Sequence, residues 1–228
     1  MGSTDRTLLR LHIEAAWGVR LPSFVLNDVE LLRDGSQPSW KLCAADEASG
    51  RVHPWRPDTT MMEREALRLK VSEALAFPPM VAPLPGVHRE VALSLVASPR
   101  LDEATARSIA RPLTERDRAL IEAFQPDAHD DCFRLARQPL IGVVISGQLL
   151  SLAHSSRRTS EACELGIDTL PAARRKGYAL AATILRTQAV MQERLVPIYS
   201  ADASNTASLR LADAAGYRTF VWLATFER

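Results

Sequence analysis

At 228 residues the chain is long enough to bury its own core without crosslinks, and 28 basic residues against 27 acidic leave a formal charge of +1. That balance gives no molecule-wide field for nucleic acid or an anionic membrane, so any anion site must be local. The N-terminus lacks an apolar signal segment, and no apolar run approaches the ~20 residues needed to cross a bilayer, so a soluble, cytoplasmic protein is expected.

In chain order, Thr7–Ala16 has helical spacing and stops before Gly18. Residues 24–32 and 40–45 read as strands of a hairpin-like unit around the turn at 34–38. Residues 51–60, with Pro54 and Pro57, read as a loop, and Met62–Phe77 as an amphipathic helix ended by the proline-rich 78–86. A strand follows from Glu90, then a short helix over 102–110. A soft boundary near 105 separates an N-terminal α/β region, 1–104, from a second domain, 105–228. Thr114 with Asp117 three residues on is a variant of the capping box, heading a helix to Phe124.

Residues 139–155 form two strands about Ser146-Gly147, a tight hairpin signal. Cys163–Leu170 is the next strand, Gly177–Glu193 a long helix, and 196–201 a strand again. Asn205 or Ser204 caps a helix ending at Gly216, and Tyr217–Phe226 closes as a strand. From Leu140 the order is β-β-β-α-β-α-β, a mixed sheet with helices packed on it. Cys43, Cys132 and Cys163 show no CxxC or zinc-type spacing, read as reduced, packed thiols, and leave no metal expected.

Chemistry concentrates where the strand 163–170 runs through Pro171 into Arg174, Arg175, Lys176, Gly177, Tyr178 and Ala179. The first amides of a helix lack intrahelical partners, and the aligned peptide dipoles place about half a positive charge there, a socket for a pyrophosphate. Gly177 admits a close approach, Ala179 keeps the first turn narrow, and the basic triplet adds charge at the mouth. A Walker-type or Rossmann nucleotide site is excluded, because no GKS, GKT or GxGxxG is present.

These segments, together with 205–217, resemble the GNAT superfamily of acyl-CoA N-acetyltransferases, in particular the subgroup with an Ile-Asp-Thr strand and an Asn-x-x-Ser helix start. The family signature of Gln or Arg, two residues, Gly, one residue, then Gly or Ala is met by Arg174, Gly177 and Ala179. The resemblance covers roughly 108–228. It implies an α/β (α+β) fold with a mixed, mostly antiparallel central sheet flanked by helices, the N-terminal α/β region being an addition packed on the catalytic domain.

By that resemblance, the strand at Ile167, Asp168 and Thr169 splays from its neighbour and pairs its main chain with the pantetheine arm of acetyl-CoA, the co-substrate. The amides from Arg175 to Ala179 cradle the pyrophosphate, and Asn205 and Ser208 lie near the pantetheine or thioester. Glu164 is the candidate base and Ser208 or a water the candidate acid. The position where many GNAT enzymes carry a tyrosine acid is Ala212 here. Strand alternation puts Glu164, Gly166 and Asp168 on one face. His154 reads as a hydrogen-bonded turn residue, since no partner carboxylate is near it in sequence. The implied reaction is direct acetyl transfer to a primary amine of a small-molecule or peptide acceptor, with no nucleic acid or membrane partner and a homodimer left open. The alternative is a non-catalytic acyl-CoA-binding regulator or sensor.

Overall fold

The computed structural model describes residues 5–21, 28–31, 37–47, 50–76, 84–126 and 132–227. Its elements, in order, are α1 (Asp5–Trp17), β1 (Val19–Arg20), β2 (Glu30–Leu31), β3 (Leu42–Glu47), β4 (Gly50–Val52), α2 (Met61–Ala74), β5 (Val87–Leu95), α3 (Glu103–Ile109), β6 (Arg111–Pro112), α4 (Arg118–Phe124), β7 (Ile141–Ile145), β8 (Gln148–Arg158), β9 (Ala162–Thr169), α5 (Tyr178–Gln192), β10 (Val196–Asp202), α6 (Thr206–Ala214) and β11 (Tyr217–Phe226). The fold is mixed α/β on a large, mostly antiparallel sheet flanked by helices, with β9 and β10 pairing in parallel. The chain forms two compact units: Met1–Ser94 with Tyr199–Leu209 and Arg218–Arg228, and Leu95–Ile198 with Arg210–Tyr217.

In the first unit the strand order is β4-β3-β11-β5-β10, the last contributing Tyr199–Asp202. Alternation along β3 builds two cores. Cys43 and Ala45 join Leu9 and Ile13 of α1, while Leu42 and Ala44 join Leu67 and Val71 of α2. Helix α2 starts where Thr60 and Glu63 close a reciprocal capping box, with Thr60 Oγ1 accepting from the Glu63 amide and the Glu63 carboxylate from the Thr60 amide, at 3.3 and 2.8 Å. The helix ends at Ala74 with Leu75 as its C-cap, short of the expected Phe77, which lies outside the described residues.

The hairpin expected between 24–32 and 40–45 does not form across the described residues. Glu30–Leu31 pair with Val19–Arg20, while β3 pairs with β11 on one edge and β4 on the other. A strand buried on both faces needs a neighbour on each edge, and those two places are taken. The remainder of 24–32 is outside the described residues. Strand β4 also shortens the loop expected over 51–60. Burial, with the Glu90 charge nearby, pushes the Cys43 thiol far up, so it packs as an inert apolar group.

In the second unit the order is β10-β9-β8-β7-β6, with β10 contributing Val196–Ile198. Ser146 and Gly147, at φ 50° and 75°, make the two left-handed residues of a tight hairpin turn between β7 and β8, as their identity predicts. Helix α4 packs on one face through Ile121 against Leu149 and Leu152. On the other, α5 is buried along most of its length and holds α3 through Gln188 and Glu103, 2.8 Å apart.

The expected helix from Thr114 breaks at Asp117. That carboxylate accepts from the Thr114 amide at 2.9 Å and from both terminal nitrogens of Arg111 at 3.0 and 2.6 Å, so residues 115–117 form a 3-10 turn and α4 begins only at Arg118. Helix α6 ends at Gly216, φ 93°, whose carbonyl accepts from the amides of Val96 and Ala97 at 3.1 Å each.

Candidate active site

The parallel ladder between β9 and β10 runs Val196↔Ala162, Pro197↔Cys163 and Ile198↔Glu164, then stops. From Leu165 to Thr169, β9 continues with β8 alone beside it among the described residues. The Leu170 amide donates to the Leu150 carbonyl, so this antiparallel ladder bonds at even positions of β9. Ile167 and Thr169 therefore aim their N–H and C=O groups away from β8, along the open edge. The Thr169 hydroxyl is itself tied to Ser151 Oγ at 2.8 Å. What Ile167 and Thr169 can offer a ligand is thus main chain.

Downstream of that edge the backbone turns through Arg174–Gly177, all exposed. Two residues here are left-handed, Arg175 at φ 59° and Gly177 at φ 80°. Arg175 costs about 1 kcal/mol in that conformation, and such turns converge successive amides into an anion-binding concavity. Gly177 is the N-cap of α5, and no side chain caps it. A Cβ at Gly177 would meet nothing within 4 Å, so the space before the first helical turn is open. Uncapped amides, open space and the exposed Arg174, Arg175 and Lys176 fit a diphosphate. Tyr178 and Ala179 are half-buried at the base of that turn.

On the α4 face of β8 and β9 stand Glu164, Gly166, Asp168 and His154. Glu164 is buried and accepts from Ser156 Oγ at 3.2 Å. The β8–β9 register shifts between Ser155 and Arg157, leaving Ser156 as an extra residue next to Glu164. His154 is a strand residue, not the expected turn residue, and its missing carboxylate comes from the neighbouring strand. Its Nε2 lies 3.6 Å from Asp168 Oδ2. Its Nδ1 is 3.0 Å from the Ser155 carbonyl, which only accepts, so Nδ1 carries a hydrogen. The ring lies on Gly166, where a Cβ would come within 2.4 Å of it. Gln125 Nε2 donates to Asp168 Oδ2 at 3.0 Å, and Arg137 donates to Gln125 Oε1 at 2.9 Å. His154 foremost, with the Arg137 charge and the Gln125 amide, holds the Asp168 carboxyl below the usual carboxylate range.

Asn205 and Ser208 lie in the other unit. There Asn205 Oδ1 caps α6 by accepting from the Ser208 amide at 3.0 Å, and Ser208 Oγ is 2.8 Å from the Tyr199 hydroxyl. Ala212 is fully buried, and its methyl side chain supplies no hydroxyl at that helix position. The sequence reading missed Gln125, Arg137 and Ser156. Only Ser156 had a signal, as a neighbour of a strand end.

Residues 137–221 match the family model for GNAT acetyltransferase, and this part of the chain is a GNAT acetyltransferase domain. Family chemistry is acyl transfer from acyl-CoA to small-molecule or peptide acceptors. An acetyltransferase of the GNAT family from Colwellia psychrerythraea superposes with a TM-score of 0.51 at 12% identity, covering 76% of this chain and 75% of that one. A GNAT-family protein from Novosphingobium aromaticivorans gives 0.49 at 23% identity over 65% and 70%. A GCN5-related N-acetyltransferase-like protein from Streptococcus suis gives 0.44 at 17% over 73% and 68%. At these identities the Colwellia likeness is one of fold. Comparison with curated proteins gives no match. Among the described residues no helix is long and apolar enough to cross a membrane.

Proposed function

We propose that the protein is an N-acetyltransferase moving an acetyl group from acetyl-CoA to a primary amine by direct transfer in a ternary complex, with residues 105–228 as the catalytic domain. The observation that carries this is the outward-facing main chain of Ile167 and Thr169, without a strand partner on that edge among the described residues, followed by the open, uncapped turn at Gly177. Pantetheine pairs with the first and the pyrophosphate seats on amides from Arg175 to Ala179, with Arg174 and Lys176 at the rim.

In the reaction the neutral amine attacks the thioester carbonyl, a C–N bond forms, the C–S bond breaks, and CoA leaves as thiolate. A main-chain N–H on the open edge of β9 stabilises the oxyanion. Glu164 takes the amine proton, directly or through water. With alanine at 212, thiolate departure relies on the low pKa of a thiol. Calorimetry with acetyl-CoA, followed by thiol release with a panel of primary amines, tests the proposal. Absence of binding heat would refute it, and heat without thiol release on any amine would favour the acyl-CoA sensor instead.

A further inference from the structure

Two carboxylates share one face of β9, and their surroundings differ. Glu164 is buried beside Ser156, whereas Asp168, four residues along and so roughly 13 Å away, has a side chain 54% exposed. Exposure alone would make Asp168 an ordinary surface acid. Its support is not ordinary: Gln125 from the end of α4 and His154 from β8 both converge on Oδ2, Arg137 fixes Gln125, and Gly166 gives the His154 ring its floor. Oδ1 has no partner among the described residues. A carboxylate anchored by one oxygen with the other turned to solvent is prepared to accept a hydrogen bond. Arg137 hydrogen-bonds Gln125, and among the described residues no guanidinium bonds Oδ1.

We propose that Asp168 is an acceptor-binding residue that takes a cationic group of the substrate through Oδ1, with Gln125 and His154 as positioning residues. This rests on the acetyltransferase reading, and it names the acceptor class: an amine that carries a second ammonium or guanidinium group, apart from the nitrogen acetylated near Glu164. A carboxylate held ionised suits an anchor and not a base, so the two acids have separate tasks.

The test uses the full chain saturated with coenzyme A and methylguanidinium chloride as the probe, with 1-propanol as the uncharged control. The Asp168 carboxyl carbon resonance, assigned by its loss in Asp168→Asn, should move with methylguanidinium and not with 1-propanol. Asp168→Asn should weaken methylguanidinium about tenfold, the worth of one charge-assisted hydrogen bond. Gln125→Ala should weaken it less while still displacing the Asp168 resonance, a signature that a merely structural role would not give. A resonance that stays still in the wild type, or an Asp168→Asn variant that binds the probe equally well, overturns the proposal. Acetyl-CoA binding heat measured on the wild-type chain reports separately on the acetyltransferase reading.

Discussion

Replacing Gly177 by alanine isolates what the start of α5 does, because the molecule supplies its own control at Gly147. Both glycines are left-handed, at φ 80° and 75°, and at both a methyl group would meet nothing within 4 Å. An L-residue in that conformation costs ~1–2 kcal/mol, offset by ~0.4–1 kcal/mol from the stiffer unfolded chain. Each variant should therefore lose about 1 kcal/mol, a fall in Tm of about 2–4 °C for a chain this size. They should part company on ligand. At 177 the methyl would occupy the space through which the proposed phosphate oxygen reaches the first-turn amides, and forfeiting one charge-assisted hydrogen bond of ~1.5–3 kcal/mol should raise the Kd for coenzyme A about ten- to a hundredfold. At 147 the Kd should not change. Thermal melts and calorimetry on the two variants measure both quantities. Equal affinities for coenzyme A would remove the diphosphate from this turn.

Glu164→Gln should depress turnover most at low pH and progressively less as the pH rises, because a base matters only while the amine still holds a proton; a pH–rate profile parallel to wild type would take Glu164 out of the mechanism. Gly216→Ala should destabilise by about 3 kcal/mol or more, since its Cβ would stand 2.2 Å from the Ala97 carbonyl oxygen at φ 93°, and a melting point within a degree or so of wild type would contradict that packing. Asp117, held down at about 2 chiefly by Arg111, stabilises the fold above its unfolded pKa of ~3.9 and loses that contribution as pH falls through its folded value. Because Arg111 is half-exposed, Asp117→Asn should cost only about 1 kcal/mol at neutral pH. The gap from wild type in denaturant melts should close between about pH 4 and 2.

Much of the second unit could be read directly from residue order. Ser146-Gly147 fixes a hairpin by its backbone preference, Gly216 a helix end, and the alternation of Glu164, Gly166 and Asp168 a shared face, all of them local effects that neighbours in sequence determine. What escaped was decided at a distance. Strand β3 takes β11 as its partner, far along the chain, and no pattern within 24–45 could reveal that the edge expected for 24–32 was already filled. His154 looked solitary because Asp168 reaches it only across a ladder, and Gln125 joins the pair only through the end of α4. Asp117 shows the opposite case: the capping pair with Thr114 was visible, but the pull of Arg111 that cut the helix short was not.

The extra residue in β8 bears on how this face tolerates changes of length. Because His154↔Gly166 and Ser155↔Leu165 on one side and Arg157↔Glu164 on the other are in phase around it, deleting Ser156 would leave every pairing intact and strip one hydroxyl from beside the buried acid. A deletion at any regular position of the strand would instead turn all later side chains to the opposite face. Natural insertions and deletions in β8 should accordingly collect at this point, where a protein lineage can retune the surroundings of Glu164 without disturbing the sheet.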